Sequence, residues 1–305
     1  MVYTFFLCRY NVPKEVIFVD RKKEQGMLLA SMAIFGTIGL LRRQIPCSSC
    51  FVALVRALIG GTFLVTLMLI KKEKPDFAAI RKNGVYLALS GAALGFNWIF
   101  LFESYNHTTV ATATMCYYLA PILVILLSPI LFKEKLTRRQ RINALCAMVG
   151  MIAVSGLLDT GLPGWGELKG IGFGLAAAVL YACVMILNKK IRHIGPYDKT
   201  ISQLFLASLV MLPYVLLTEN LGQLELTSQT MLLLLIAGIV HTGIAYWLYF
   251  GAMGALKAQT VALYSYLDPI LAIFLSMVVL KEPMTPAAAI GAVLILGAAF
   301  RSERS

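Results

Sequence analysis

The chain has 305 residues, of which 59% are hydrophobic and 14% charged, with a mean hydropathy of +0.79. A soluble domain is about 45–50% apolar and about 25% charged, so this chain has too little polar surface to cover a core in water. That excludes a soluble enzyme, a disordered chain and a nucleic-acid partner. It also gives the net charge of +12 a topological meaning, since surplus Lys and Arg collect in the cytoplasmic loops of membrane proteins.

Residues 1–26 read as a basic cytoplasmic lead-in. The apolar run Val2–Cys8 is too short for a signal peptide and precedes the charges instead of following them; a start near Met27 is the alternative. A spanning helix needs about 20 mostly apolar residues. Ten such segments follow, near 26–41, 49–70, 84–105, 109–131, 140–158, 170–188, 200–217, 230–250, 258–280 and 286–300. Loops between them are short and leave no room for an extramembrane catalytic domain. With the N-terminus inside, inner segments carry 22 Lys and Arg, and outer segments carry four: Arg42, Arg43, Lys169 and Lys281. Arg56 alone lies within a span. The pattern predicts an all-α polytopic membrane protein of ten transmembrane helices, N-in and C-in, in the cell membrane.

Six cysteines are scattered, mostly in apolar runs, which is no disulfide framework. Cys47-Ser-Ser-Cys50 has CxxC spacing but neither a second pair nor a nearby His, so it reads as two free thiols at a helix entrance. No HExxH, P-loop or GxSxG motif occurs, and neither metal nor cofactor is expected.

The chain repeats itself. Residues 118–137 (YLAPILVILLSPILFKEKLT) and 266–285 (YLDPILAIFLSMVVLKEPMT) share eleven of twenty positions at an offset of 148, among them Tyr118/Tyr266, Pro121/Pro269 and Lys133-Glu134/Lys281-Glu282. Trp98 pairs with Trp247 at an offset of 149. The halves are 27–158 and 170–300. Each holds five helices, an odd number, so the two must cross the bilayer in opposite senses. Such inverted repeats are the architecture of many secondary transporters.

Ionisable groups inside spans are expensive and are functional candidates by default. Four fall there: Arg56, Glu103, His241 and Asp268. The repeat partner of Asp268 is Ala120, so the copies differ at this carboxylate, and the next residue is the helix-breaking Pro269. Asp268 reads as a substrate-ammonium or proton site, or as a cap or partner for Arg56. Arg56 suits a carboxylate or phosphate, or a structural ion pair. Glu103 suits a rim, and His241 a proton relay or a hydrogen-bonded helix position. Aromatic residues gather near the paired prolines, among them Tyr117, Tyr118, Tyr264 and Tyr266.

Several stretches resemble the EamA-type drug/metabolite transporter superfamily: Gly95-Phe-Asn-Trp98 through Tyr105, Tyr118-Leu-Ala-Pro121 to Glu134, Ala245-Tyr-Trp247, and Tyr266-Leu-Asp-Pro269 to Glu282. Arg56 matches an arginine common in the family's second helix, whereas Glu103 departs from its usual small residue. The resemblance covers about residues 27–300. It implies a secondary transporter exporting small metabolites, amino acids or related amphipathic solutes, by alternating access about a midplane cavity. Proton coupling at Asp268 and facilitated diffusion both remain open. Expected solute contacts are Asn97, Trp98, Tyr118, Trp247, Tyr264 and Asp268. The alternative reading is an intramembrane enzyme acting on lipid-linked substrates, with Glu103 and His107 as its candidate pair; a receptor or scaffold would call for larger loops.

Overall fold

The computed structural model describes residues 21–132, 137–154, 164–219, 224, 226–253, 255–256 and 258–303. Every element among them is helical: α1 (Arg21–Gly36), α2 (Ile38–Arg43), α3 (Ser49–Ile70), α4 (Phe77–Lys82), α5 (Gly84–His107), α6 (Val110–Tyr117), α7 (Ala120–Phe132), α8 (Arg138–Val154), α9 (Trp165–Lys190), α10 (Pro196–Thr218), α11 (Ser228–Leu235), a π-helix (Ile236–Ile244), α12 (Ala245–Met253), α13 (Ala258–Ser265), α14 (Leu267–Val278) and α15 (Pro286–Glu303). The Lys133-Glu134 pair and residues 1–20 lie outside the described residues.

Among the described residues, seven helical stretches are long and apolar enough to cross a bilayer: Lys22–Arg43, Ser49–Ile70, Gly84–His107, Val110–Leu127, Trp165–Lys190, Pro196–Thr218 and Ser228–Met253. Leu267–Val278 and Pro286–Arg301 are shorter apolar helices. The sequence pattern called for ten spans. The fifth segment runs on to residue 158, past the described end of α8, which opens on Arg138, Arg139 and Arg141, and the ninth is cut in two at Tyr266. Large apolar side chains such as Leu69, Val85, Leu217 and Val293 are exposed on the outside of the bundle, the arrangement expected where lipid is the solvent. The chain is a multi-pass membrane protein.

Helix starts and stops follow from the sequence. Ser48, Thr109 and Thr227 cap α3, α6 and α11 by accepting from Phe51 N, Thr112 N and Thr230 N at 3.2, 3.0 and 3.2 Å. Proline removes the amide that would bond the carbonyl four residues back, and its ring clashes there. Four residues before Pro121 is Tyr117, the last residue of α6; four before Pro269 is Ser265, the last of α13. The two interruptions thus fall at Tyr118-Leu119 and Tyr266, at matching points of the repeat.

Packing obeys the repeat as well. The first helix of each half packs on the third and fourth segments of the other: α1 on α12 and α14, α9 on α5, α6 and α7. Second packs on second (α3 on α10), fourth on fourth (α6 on α14) and fifth on fifth (α8 on α15). Exchanging the halves leaves this pattern unchanged. The fifth-on-fifth contact is backbone against backbone: a Cβ on Gly150 would lie 2.8 Å from Gly291 O, and one on Gly291 2.5 Å from Gly150 O.

Gly291→Leu should therefore lower the thermal midpoint of the detergent-solubilised protein, at a cost of about 1–3 kcal/mol for forced overpacking. Gly172→Ala, where an added Cβ meets nothing within 4 Å, should leave the midpoint unchanged or raised. Equal effects of the two would show that the α8–α15 contact does not constrain the fold.

Candidate functional site

A cavity of about 190 Å³ lies between the halves, more than tenfold the ~10–15 Å³ that one water needs. Both helix interruptions reach it, through Tyr118 with Pro121 and through Ser265, Tyr266 and Asp268. The α1–α2 junction reaches it too, at Gly36, where a Cβ would stand 2.7 Å from Asp268 O. In lipid, backbone that leaves the helical ladder is tolerated only where it lines a cavity or is buried in protein. Here the irregular backbone and the cavity coincide.

Three kinds of side chain line the wall. Aromatic rings dominate: Tyr117 stacks on Tyr181 at 4.9 Å and meets Tyr118 edge-on, and Tyr246 stacks on Phe250 at 5.8 Å. One cation is present, Arg56 from the middle of α3, buried with its guanidinium carbon 4.1 Å above the Trp98 ring. Its Nε donates to Thr242 Oγ1 at 2.7 Å, and Nη2 to His241 O at 3.4 Å. One carboxylate is present, Asp268, whose Oδ2 accepts from the Tyr118 hydroxyl at 2.8 Å. That bond links the two interruptions to each other. Arg56 and Asp268 share the cavity, yet no ion pair between them exists among the described residues.

Of the residues singled out from sequence, Arg56, Trp98, Tyr105, Tyr117, Tyr118, Pro121, Tyr266 and Asp268 line this cavity, whereas Asn97, Glu103, His241, Trp247, Tyr264 and Pro269 do not. Asn97 is buried and donates to Ala177 O at 2.6 Å, pinning α5 to α9. Trp247 is half-buried, with Lys71 Nζ 5.7 Å from its ring centre. Tyr264 packs against the buried cluster that Leu28 and Met32 of α1 form with residues of α12 and α13, such as Tyr249 and Val261. His241 Nε2 lies 2.9 Å from Thr37 Oγ1, between the α1–α2 junction and the π-helix. Pro269 is buried beside Asp268 without lining the cavity. Glu103 sits at one end of the bundle, taking the Ser49 hydroxyl at 2.7 Å and lying 3.3 Å from His107 Nε2, with both side chains about one-third exposed. Cys47 is buried beside that end, and desolvation pushes its thiol above the ordinary value against the pull of Arg42.

Sequence reading missed Tyr181 and Thr242. Tyr181 follows no motif. Thr242 matters only because residues 236–244 wind as a π-helix, which no residue type in the stretch announces.

A second polar cluster ties three segments together away from the cavity. The Glu282 carboxylate takes Arg43 Nη2 at 2.7 Å, the Val110 amide at 2.8 Å and the Ser276 hydroxyl. It thus joins the end of α2 to the start of α6, where a helix N-terminus favours negative charge. The cavity runs the other way, toward Asn188 at the end of α9 and Thr200 at the start of α10.

The sequence profile of the EamA-like transporter family matches residues 23–156 and again 168–302. "Uncharacterized transporter YxxF" of Bacillus subtilis is 30% identical over 254 residues, covering 82% of this chain and 80% of that one. "Protein PecM" of Dickeya dadantii is 27% identical over 249 residues, 81% of this chain and 80% of its own. The "Probable amino-acid metabolite efflux pump" of Salmonella typhimurium is 29% identical over 186 residues, 57% of this chain and 60% of its own. A crystal structure at 20% identity superposes with a TM-score of 0.64 over 92% of this chain and 96% of that one, a likeness of fold.

The Glu282 clamp can be tested by access. In a cysteine-free background with Thr114→Cys as reporter in the cavity wall, Glu282→Ala should speed labelling by an impermeant thiol reagent added on the Arg43 side. One lost charge-assisted hydrogen bond of ~1.5 kcal/mol shifts an opening equilibrium about tenfold. Unchanged labelling would mean that the clamp does not hold this end shut.

Proposed function

The chain belongs to the EamA-like transporter family, and from that membership we propose a secondary transporter that exports small metabolites, amino acids or related amphipathic solutes, by alternating access about the cavity of Arg56, Trp98, Tyr118 and Asp268. The observation that carries the reading is the coincidence of a solute-sized cavity with both repeat-related helix interruptions. A relative whose name refers to amino-acid metabolite efflux supports the solute class.

In this reading the chain crosses the bilayer ten times, α8, α14 with α13, and α15 completing the seven longer spans. Five crossings per half make the repeats inverted, with both ends of the chain inside. The packing of the basic loops supports that orientation: Asn83 Nδ2 donates to Arg192 O at 3.0 Å, and Arg192 N to Asn83 Oδ1 at 3.2 Å. Segments 71–83 and 189–199, rich in Lys and Arg, therefore share one end, as cytoplasmic loops do. In this reading the cavity, which extends to Asn188 and Thr200, faces the inner end, and Glu282 ties the outer one. Solute would enter from the basic end, place its ammonium on Asp268 and its apolar body among the tyrosines, and leave once the Arg43–Glu282 clamp parts. The bond from Tyr118 to Asp268 is the natural element for a solute or a proton to break, because it joins the fourth segments of both halves.

Purified protein in liposomes should move at least one amino acid above empty vesicles when tested against amino acids, nucleosides and a cationic dye; transport of none of these would remove the proposal. Asp268→Asn should abolish dependence on a pH gradient if Asp268 carries the coupling proton. Dependence that survives this change assigns the coupling elsewhere.

A further inference from the structure

Arg56 is a cation in the middle of a span whose protein partners are all neutral: one hydroxyl, one carbonyl and two aromatic rings. Among the described residues no carboxylate pairs with it. Two of its nitrogens are engaged, Nε by Thr242 and Nη2 by His241 O, and Nη1 has no hydrogen-bond partner among the described residues. The Trp98 ring covers one face of the guanidinium. What is left over is the Nη edge, on a residue that lines the cavity.

The reason Thr242 and His241 can hold the guanidinium is the π-helix. Within it, side chains bond five residues back: Thr242 Oγ1 donates to Ala237 O at 3.1 Å, and His241 Nδ1 lies 3.3 Å from Ile236 O. At its end the Ala245 amide, which in an α-helix would bond His241 O, turns to Val240 O and Thr242 O. The His241 carbonyl is thereby available to Arg56. Because Thr242 gives its proton to Ala237, its oxygen lone pairs face the Nε donor. Close approach of the two helices completes the arrangement, since Gly60 leaves its space to the Thr242 methyl. π-Turns inside α-helices recur at functional sites.

We propose that the π-helix makes Thr242 a positioning residue, which aims the Nη edge of Arg56 into the cavity so that it selects solutes carrying a carboxylate. The proposal rests on the cavity being the solute site. The Nη edge is a flat pair of donors that matches a carboxylate. Asp268, in the same wall, disfavours a dianionic phosphate and favours a solute that carries a cation as well. The ligand class is therefore zwitterionic with an apolar or aromatic body, its carboxylate at Arg56 and its ammonium at Asp268.

The test uses the full-length protein in detergent with Trp165→Phe and Trp247→Phe, so that Trp98, under the guanidinium, is the sole indole. Phenylalanine and phenylalaninamide serve as probes; they differ only in replacement of the carboxylate by an amide. Trp98 emission reports binding. The expected result is a preference of roughly tenfold to a hundredfold for phenylalanine, the worth of a charge-assisted contact. Thr242→Val should erase that preference and shift Trp98 emission without ligand, and Thr242→Ser should restore both. If T242V does not yield folded protein, Thr242→Ala carries the same comparison. A wild-type protein that binds the two probes equally, or binds neither, overturns the proposal; so does a T242V or T242A protein with preference and emission unchanged. Liposome flux of other metabolites is scored separately, and its presence would keep the transporter reading while this inference falls.

Discussion

The bilayer offers no water to an unpaired backbone group, so every departure from the helical ladder has to be answered inside the protein. This chain departs from it around the α1–α2 junction at Gly36-Thr37, at Tyr118-Leu119, at Tyr266 and along residues 236–244. The departures are gathered around one space. Tyr118 and Asp268 bond across it, Thr37 reaches His241, and Arg56 reaches the π-helix. The first three line that space, and the π-helix touches it through the partners it gives Arg56. The cavity and the broken helices are one arrangement seen from two sides.

The duplication supplies the frame and the differences between copies supply the chemistry. Prolines 121 and 269 break corresponding helices, and the contacts between segments survive exchange of the halves. The charged and polar groups do not. Asp268 stands where the first copy has Ala120, and the π-helix belongs to the eighth segment alone among the described residues. A symmetric scaffold can rock between equivalent states, but a solute must be held in one orientation, and only asymmetric side chains can do that.

Much of the frame was legible from sequence because its causes are local. Hydropathy marked the segments, and Pro121 and Pro269 marked the two that are broken, although the breaks themselves lie just upstream of each proline. Arg56 and Asp268 stood out because ionisable groups are rare in spans. Failures came where a residue's partner is distant. Asn97 has the type of a binding residue, but its amide is spent on the Ala177 carbonyl eighty positions away. Trp247 matches Trp98 in the repeat, yet it meets Lys71 and packs partly buried while Trp98 lies beneath Arg56. Tyr264 was placed near the prolines correctly and turns toward α1 all the same. Thr242 was invisible because its role depends on helix winding, which sequence periodicity in an all-apolar stretch does not reveal.

The burial of Arg56 also bears on the order in which the protein is made. A charged residue at the centre of a helix costs about 2.5–3.5 kcal/mol to insert, and α3 meets that cost from its own apolar length, with no other charge between Ser49 and Ile70. The group that holds the guanidinium, Thr242, lies 186 residues further along. Until the eighth segment has been synthesised, the first half offers the guanidinium the Trp98 and Phe102 rings but not the hydroxyl and carbonyl of the π-helix. Completion of the second half therefore does more than add helices: it supplies the hydroxyl and carbonyl that hold this guanidinium, and a chain truncated between the halves should be a substrate for quality control instead of a stable half-transporter.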